Sequence, residues 1–301
     1  LRTSRGLGDV YKRQIESSEN AGSCYGFHYG WSGGHRMIAE QLQDGRRQIQ
    51  FGNTENSELI PGESFKTAKL YICHSNNGIG GLGSIFRDFV VNRIVDFPHD
   101  SIRPVNYNCW EAVYFNQNID ELKEIASIAA DIGAERFVLD DGWFKGRNSA
   151  NSSLGDWTVD NQKYPRGMHP LVSHIHSIGM TFGLWFEPEM VSPDSDLFHS
   201  HPDWILGEKD QALGREQYAL DISIKEVQEY LFKSIDKILN EYPIDYIKWD
   251  HNRVLPHPDA SQTRALYRLL SRIRQAHPSL EIESCSSGGG RIDYGLSLIH
   301  I

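Results

Sequence analysis

Apolar and polar positions follow two different rhythms along the chain. Over residues 16–74 short runs alternate apolar with polar residues or are rich in aromatics: YGFHYGW, RRQIQFG and TAKLYICH. Gly, Asn and Pro-Gly clusters separate them (SGG, GNTENS, IPGES). Period-two alternation bounded by such turns predicts strands, and strands at this spacing predict an antiparallel sheet or sandwich. Asn76-Asn77-Gly78 breaks the pattern. Leu82, Ile85, Phe86, Phe89 and Val90 then recur at helical spacing and predict a connecting helix over 81–95.

From Pro104 the rhythm becomes strand, helix, strand. NYNCW, RFVLDDGWF, TFGLWFEPE, YALDI, IDYIKWD and LEIESCS read as strands. Between them, Leu122, Ile125, Ala126 and Ala129 share one face of a helix over 120–132. Val227, Tyr230, Leu231, Ile235 and Ile238 do so over 225–240, and Leu266, Leu269, Leu270 and Ile273 over 260–276. Gly133 and Gly179 stand where helix C-caps belong. Strands alternating with such helices predict parallel strands joined by crossovers, hence an α/β fold.

The strand ends decide between barrel and open sheet. Almost every unit closes on charged, aromatic or small polar residues: Trp110-Glu111, Asp140-Asp141, Trp185 and Glu187, Asp250, Cys285-Ser286. A (β/α)8 barrel gathers all strand C-termini around one mouth. A doubly wound sheet would carry G-x-G-x-x-G after its first strand, and none stands there. Five or six units are too few for eight. The expected architecture is an incomplete (β/α)8 TIM barrel over 104–295, preceded by the C-terminal part of an antiparallel β-sandwich over 15–79 and a linker helix over 80–103. Residues 1–14 and 296–301 fit neither rhythm, read as non-native segments, and carry no weight in the fold.

Composition narrows the partners. The 301 residues hold 30 Lys and Arg against 40 Asp and Glu, a net charge of −10. Nucleic acid and anionic membranes both require clustered positive charge, so neither is expected as a partner. No apolar run reaches the ~20 residues of a membrane-spanning helix. Cys24, Cys73, Cys109 and Cys285 form no C-x-x-C pair and no zinc spacing. They read as reduced thiols of a cytoplasmic protein. His169, His174 and His176 read as helix-surface or cap residues, because His174 and His176 are two apart and do not share a helix face.

Candidate chemistry concentrates in four segments. In IDYIKWDHNR, strand alternation puts Tyr246, Lys248 and Asp250 on one face, Ile247 and Trp249 on the other. A Lys two residues before an Asp on an inward face predicts an ion pair that keeps the carboxylate charged, which suits a nucleophile. The plainer reading is a buried salt bridge that closes the barrel. Asp140 and Asp141 cannot both point the same way at a strand end. They suit vicinal hydroxyls, a metal if Glu187 and Glu189 join them, or a helix cap. Trp110, Trp143, Trp157 and Trp185 offer either flat platforms for sugar rings or core packing. In ESCSSGGGR small residues let backbone and substrate approach closely. Arg215, just before a strand end, is either a hydrogen-bond donor to a ligand oxygen or a surface charge.

Together NYNCWEAVYF, FVLDDGWF, LGDW, GLWFEPEMV, HPDW, KWDHNR and SCSSGGGR resemble glycoside hydrolase family 36, the bacterial α-galactosidases, in order and approximate spacing over residues 22–295. The resemblance implies a retaining α-galactosidase acting on terminal α-1,6-linked galactose of melibiose- and raffinose-type oligosaccharides. Asp250 matches the family's nucleophile, which forms a covalent glycosyl-enzyme. Lys248 and Asn252 match sugar-contacting neighbours, and Asp140 and Asp141 the pair that grips galactose hydroxyls. Trp110 and Trp185 match aromatic pocket walls, Arg215 a substrate-binding arginine, and Cys285 and Gly288 a small-residue wall. The family needs no metal and no cofactor, and its full-length members often form homo-oligomers. Two departures stand out. His251 replaces an apolar residue, often Met. The family's acid/base Asp lies in a later W-x-S-D segment that these residues do not contain, so on their own they are expected to be inactive. Rival readings are a galactosyltransferase of the raffinose- or stachyose-synthase type, an α-N-acetylgalactosaminidase, and a non-catalytic sugar-binding protein.

Overall fold

A computed structural model describes residues 11–14, 18–54, 59–95, 102–257, 260–287 and 290–300. The chain divides into two compact units.

The first unit comprises Leu1–Asp96, Pro258–Tyr267 and Gly289–Ile301. Strands β1 (Tyr11–Gln14), β2 (Cys24–Gly30) and β5 (Lys69–Ser75) form an antiparallel sheet in the order β1-β2-β5. Strands β3 (His35–Gln41) and β4 (Arg47–Asn53) pair as a separate antiparallel ribbon. The expected connecting helix is α1 (Gly78–Phe89), continued by a π-helical turn, Val90–Ile94. Its apolar stripe packs Leu82 and Phe86 with Cys24, Ile94 and Tyr294 into one core. Gly26 on β2 permits this approach, since a Cβ there would lie 2.5 Å from the Phe86 ring.

The spans set aside at either end contain regular structure. Tyr11–Gln14, within the span set aside as non-native, pairs with β2 through backbone bonds that need no side-chain pattern. Residues 296–300 belong to helix α8 (Tyr294–His300), whose start is capped by Asp293 Oδ1 accepting the Leu296 N–H.

The second unit, Phe97–His257 with Arg268–Gly288, carries a five-stranded parallel sheet. In chain order it contains β6 (Asn106–Asn108), α2 (Trp110–Val113), α3 (Ile119–Asp131), β7 (Arg136–Leu139), α4 (His169–Ser177) and β8 (Thr181–Phe186). There follow β9 (Met190–Val191), α5 (Asp196–Ser200), β10 (Tyr218–Ala219), α6 (Lys225–Glu241) and β11 (Tyr246–Trp249). Helix α7 (Ala260–Ala276) leads to β12 (Glu281–Ser284). The strand order is β6-β7-β8-β11-β12. All four residues of β7 are buried, as befits a parallel strand covered on both faces. The helices bury the predicted stripes: Leu122, Ala126 and Ala129 on α3, and Val227, Leu231, Ile235 and Ile238 on α6. Asn118 caps α3 by accepting the N–H groups of Asp120 and Glu121. Gly133 and Gly179 follow their helices at φ +96° and +84°, the left-handed caps that the sequence predicts.

The sheet is curled. Strands β7 and β12 stand three places apart, roughly 14 Å in a flat sheet at ~4.8 Å per strand. Yet Arg136 Nη2 on β7 donates to Glu281 Oε2 on β12 at 2.9 Å. Side chains on the inner face therefore converge, as in half a barrel. One predicted rung is corrected. YALDI does not join the parallel sheet, because β10 pairs antiparallel with β9 in a ribbon within the long β8–α6 connection. Five strand units remain. Among the described residues no helix is long and apolar enough to cross a membrane.

Candidate active site

Asp140, Glu187, Asp250 and Cys285 each directly follow a strand of the parallel sheet, so they share its C-terminal edge. Asp250 is 6% exposed. Its N–H extends the ladder by donating to the Phe186 carbonyl at 2.8 Å. Three donors meet its carboxylate. The His251 N–H reaches Oδ1 at 2.9 Å, Trp185 Nε1 reaches Oδ2 at 3.1 Å, and Asn252 Nδ2 also bonds Oδ2.

Lys248 shares the inward face with Asp250, but its ion pair is not the expected one. Lys248 Nζ donates to Asp140 Oδ2 at 2.8 Å. The reason is geometric: two places along a curled sheet bring β7 and β11 close enough for a lysine to bridge them, whereas neighbours along one strand face run parallel. Asp140 Oδ2 also accepts Asn108 Nδ2 at 2.5 Å, and Oδ1 accepts the Asp141 N–H at 2.8 Å. The Asn108 side chain in turn accepts the N–H of Trp110 at 2.8 Å. Asp250 lies within electrostatic reach of Lys248 and, with Asp140, holds the ammonium above its usual range against the opposing effect of burial.

Asp141 has a partner that sequence reasoning missed. Arg147, fully buried, forks onto it with Nε at 2.9 Å from Oδ1 and Nη2 at 2.8 Å from Oδ2. Its Nη1 binds the carbonyls of Ala150 and Ser152. Burial raises the Asp141 carboxyl, and Arg147 pulls it partly back. Gln117, also unforeseen, donates Nε2 to the carbonyls of both aspartates. An arginine in a polar loop such as KGRN reads as a surface charge, so no local signal betrays it.

The tryptophans divide. Trp143, Trp157 and Trp185 are core residues, Trp185 only 2% exposed. Trp185 thus meets Asp250 with its N–H edge, not as an open platform, while its carbonyl accepts Trp143 Nε1. Trp110 is half-buried against the edges of Tyr114 and Phe115. Arg215 is exposed, in left-handed backbone at φ +53°, and its charge acts on both Asp141 and Glu187. The Cys285 N–H bonds the Trp249 carbonyl, and its sulfur lies within electrostatic reach of Lys248. Gly288 lies outside the described residues. His251 Nε2 stands 4.0 Å from Glu189 Oε2. Of the three helix histidines, His174 Nε2 meets Ser127 Oγ and the Lys123 carbonyl, and His176 pairs with Asp245.

Glu187, weighed in the sequence only as a strand-end residue and metal ligand, is a second centre. Fully buried, it accepts the Asn252 N–H on Oε1 at 2.8 Å, and its Oε2 has no hydrogen-bond partner. Burial, then the charge of Asp250, pushes the carboxyl up to about 7, against a smaller pull from Arg215. A raised acid makes the folded state bind the extra proton. Unfolding free energy should therefore fall by about 3 kcal/mol as pH rises from the ordinary glutamate range to neutrality. Urea denaturation across that window should show the fall, and Glu187→Gln should flatten it.

A family model described as Melibiase matches residues 64–300. The chain belongs to the melibiase family. It is 46% identical over 289 residues to an α-galactosidase of Escherichia coli, and 37% identical over 300 residues to α-galactosidase AgaA of Geobacillus stearothermophilus. These alignments take in 92% and 93% of the chain but 41% of each relative, so the chain spans about two-fifths of their length. Among solved structures, a variant of AgaA in complex with 1-deoxygalactonojirimycin superposes with a TM-score of 0.90 at 35% identity, covering 97% of this chain and 43% of that one. An α-galactosidase from Lactobacillus brevis gives 0.89 at 36% identity, covering 95% and 41%. Another AgaA variant, in complex with raffinose, gives 0.89 at 35% identity, covering 97% and 43%. In this member of the melibiase family the strand-end carboxylates are compensated from within: Asp140 by Lys248, Asp141 by Arg147.

Proposed function

We propose that this chain carries the nucleophile and galactose-binding half of a retaining α-galactosidase that cleaves terminal α-1,6-linked galactose from melibiose- and raffinose-type oligosaccharides. The observation that carries the reading is the convergence of three donors on the buried Asp250 carboxylate, beside the Lys248–Asp140 pair. Asp250 attacks the anomeric carbon as the bond to the aglycone oxygen breaks, and that oxygen takes a proton from an acid. Water then hydrolyses the glycosyl ester with retention. Asp140, Asp141, Lys248 and Asn252 hold the sugar hydroxyls, Arg215 and Cys285 line the pocket, Trp110 walls it, and Trp185 acts through its N–H on Asp250.

The acid is the aspartate of a W-x-S-D segment outside the 301 residues, so these residues alone release no galactose. On the same reading the parallel sheet begins a (β/α)8 barrel, and the antiparallel strands are the C-terminal part of a β-sandwich. The full-length protein works in the cytoplasm as a homo-oligomer without cofactor or metal.

The test is covalent trapping in a protein carrying this sequence at the full length of its relatives. A deactivated fluorinated galactosyl fluoride needs no acid: the C–F bond breaks, fluoride leaves, and the anomeric carbon bonds a carboxylate oxygen. The peptide holding Asp250 should gain the mass of the sugar. An adduct elsewhere, or none, overturns the assignment. Free galactose as the product when sucrose is present separates hydrolase from transferase.

A further inference from the structure

The EPE sequence after β8 places two carboxyl groups in the interior: Glu187 is fully buried and Glu189 is 2% exposed. Glu187 is directed at the turn that follows β11, and Glu189 at the last residue of that strand. The β8–β11 ladder makes its last bond from the Asp250 N–H to the Phe186 carbonyl. Pro188 has no N–H with which to continue it. Beyond that point side chains replace the backbone. Glu187 Oε1 accepts the Asn252 N–H at 2.8 Å, and Glu189 Oε1 accepts Trp249 Nε1 at 2.9 Å. Asp250 lies between these two attachments. The Asn252 amide, fixed by the first, donates to Asp250 Oδ2 and accepts Ser287 Oγ.

We propose that Glu187 is a positioning residue: it anchors the Asn252 backbone and so sets the angle at which Asp250 meets the anomeric carbon, with Glu189 as the opposite anchor on Trp249. The inference rests on Asp250 being the nucleophile. The buried Oε2 without a partner fits a protonated group better than a carboxylate, whose unsatisfied charge would be far costlier to bury. Its raised titration range agrees, and Asp250, Asp141 and Arg215 are the charges that act on it. A neutral Glu187 also spares Asp250 a second negative charge.

The experiment uses the protein at full relative length and an aryl α-galactoside. Glu187→Met keeps the volume and removes the acceptor. It should lower kcat by roughly 10²-fold, the scale expected for a misplaced reacting group, with a smaller rise in KM through the displaced Asn252. Glu187→Gln keeps a neutral acceptor and should stay within about threefold of the parent below the pH at which Glu187 titrates. The decisive arm adds Glu187→Met to Asp250→Gly and supplies azide, which attacks the anomeric carbon as the aglycone leaves and yields the β-galactosyl azide. If Glu187 acts only through Asp250, the double variant makes the azide product as fast as Asp250→Gly alone. A full additive loss there, or a Glu187→Met enzyme as fast as the parent, overturns the proposal. So does a loss above tenfold in Glu187→Gln, a result that stands even where Glu187→Met does not fold. Failure of azide to restore turnover to Asp250→Gly instead strikes the nucleophile reading itself.

Discussion

Asp250→Asn, in a protein carrying this sequence at full length, should reduce kcat for an aryl α-galactoside by roughly 10⁴-fold or more, the scale of losing a nucleophile. The substitution preserves volume, so the site stays packed. It fails chemically twice. An amide cannot form the glycosyl ester, and its NH2 must replace one of two oxygens that both accept. On one side it would face the His251 N–H, on the other Trp185 Nε1 and the Asn252 amide. KM should change far less, because three of the four groups proposed to hold the sugar, Lys248, Asp140 and Asp141, are bonded among themselves and to Arg147, and only Asn252 bonds Asp250. Initial-rate kinetics measures both parameters, and an Asn variant with parental kcat would remove Asp250 from the mechanism.

The largest stability effect is expected at a residue that no motif identified. Arg147→Met should destabilise the fold by about 3–5 kcal/mol, the usual cost of stranding one member of a buried ion pair. Arg147 is fully buried and makes a two-pronged bond to Asp141 while tying down the carbonyls of Ala150 and Ser152. Without it Asp141 keeps the penalty of burial and the repulsion of Asp140, both of which already raise its carboxyl. Urea denaturation measures the loss. Adding Asp141→Asn should recover a good part of it, since the stranded charge is then gone. A loss under about 1 kcal/mol would mean that the pair is not the brace it resembles.

Much of this architecture was legible from periodicity. Helix α7 occupies the predicted span, and Gly133 and Gly179 cap their helices as glycine should. Alternation along β11 put Lys248 and Asp250 on one face, and the strand-end rule put Asp140 and Asp250 at the same edge. The misreadings share a cause. YALDI alternates like a strand and is one, but pairing with β9 took it out of the parallel sheet. Trp185 was open to two readings, sugar platform or core packing, and its ring is buried with its N–H edge on Asp250. Glu187 was weighed only as a metal ligand, because nothing in FEPE shows which side chain is desolvated.

The sequence by itself determined the alternation of strands and helices, the edge where the chemistry gathers, and the melibiase relationship. Each is written within a few neighbouring residues or in a run of motifs. Only the tertiary structure decided which charges neutralise which. Lys248 pairs with Asp140, 108 positions away in the chain, and not with the aspartate two residues on. Coulomb attraction acts through space and grows as water is excluded, so the partner is chosen by sheet curl and burial, neither of which is a property of any local segment.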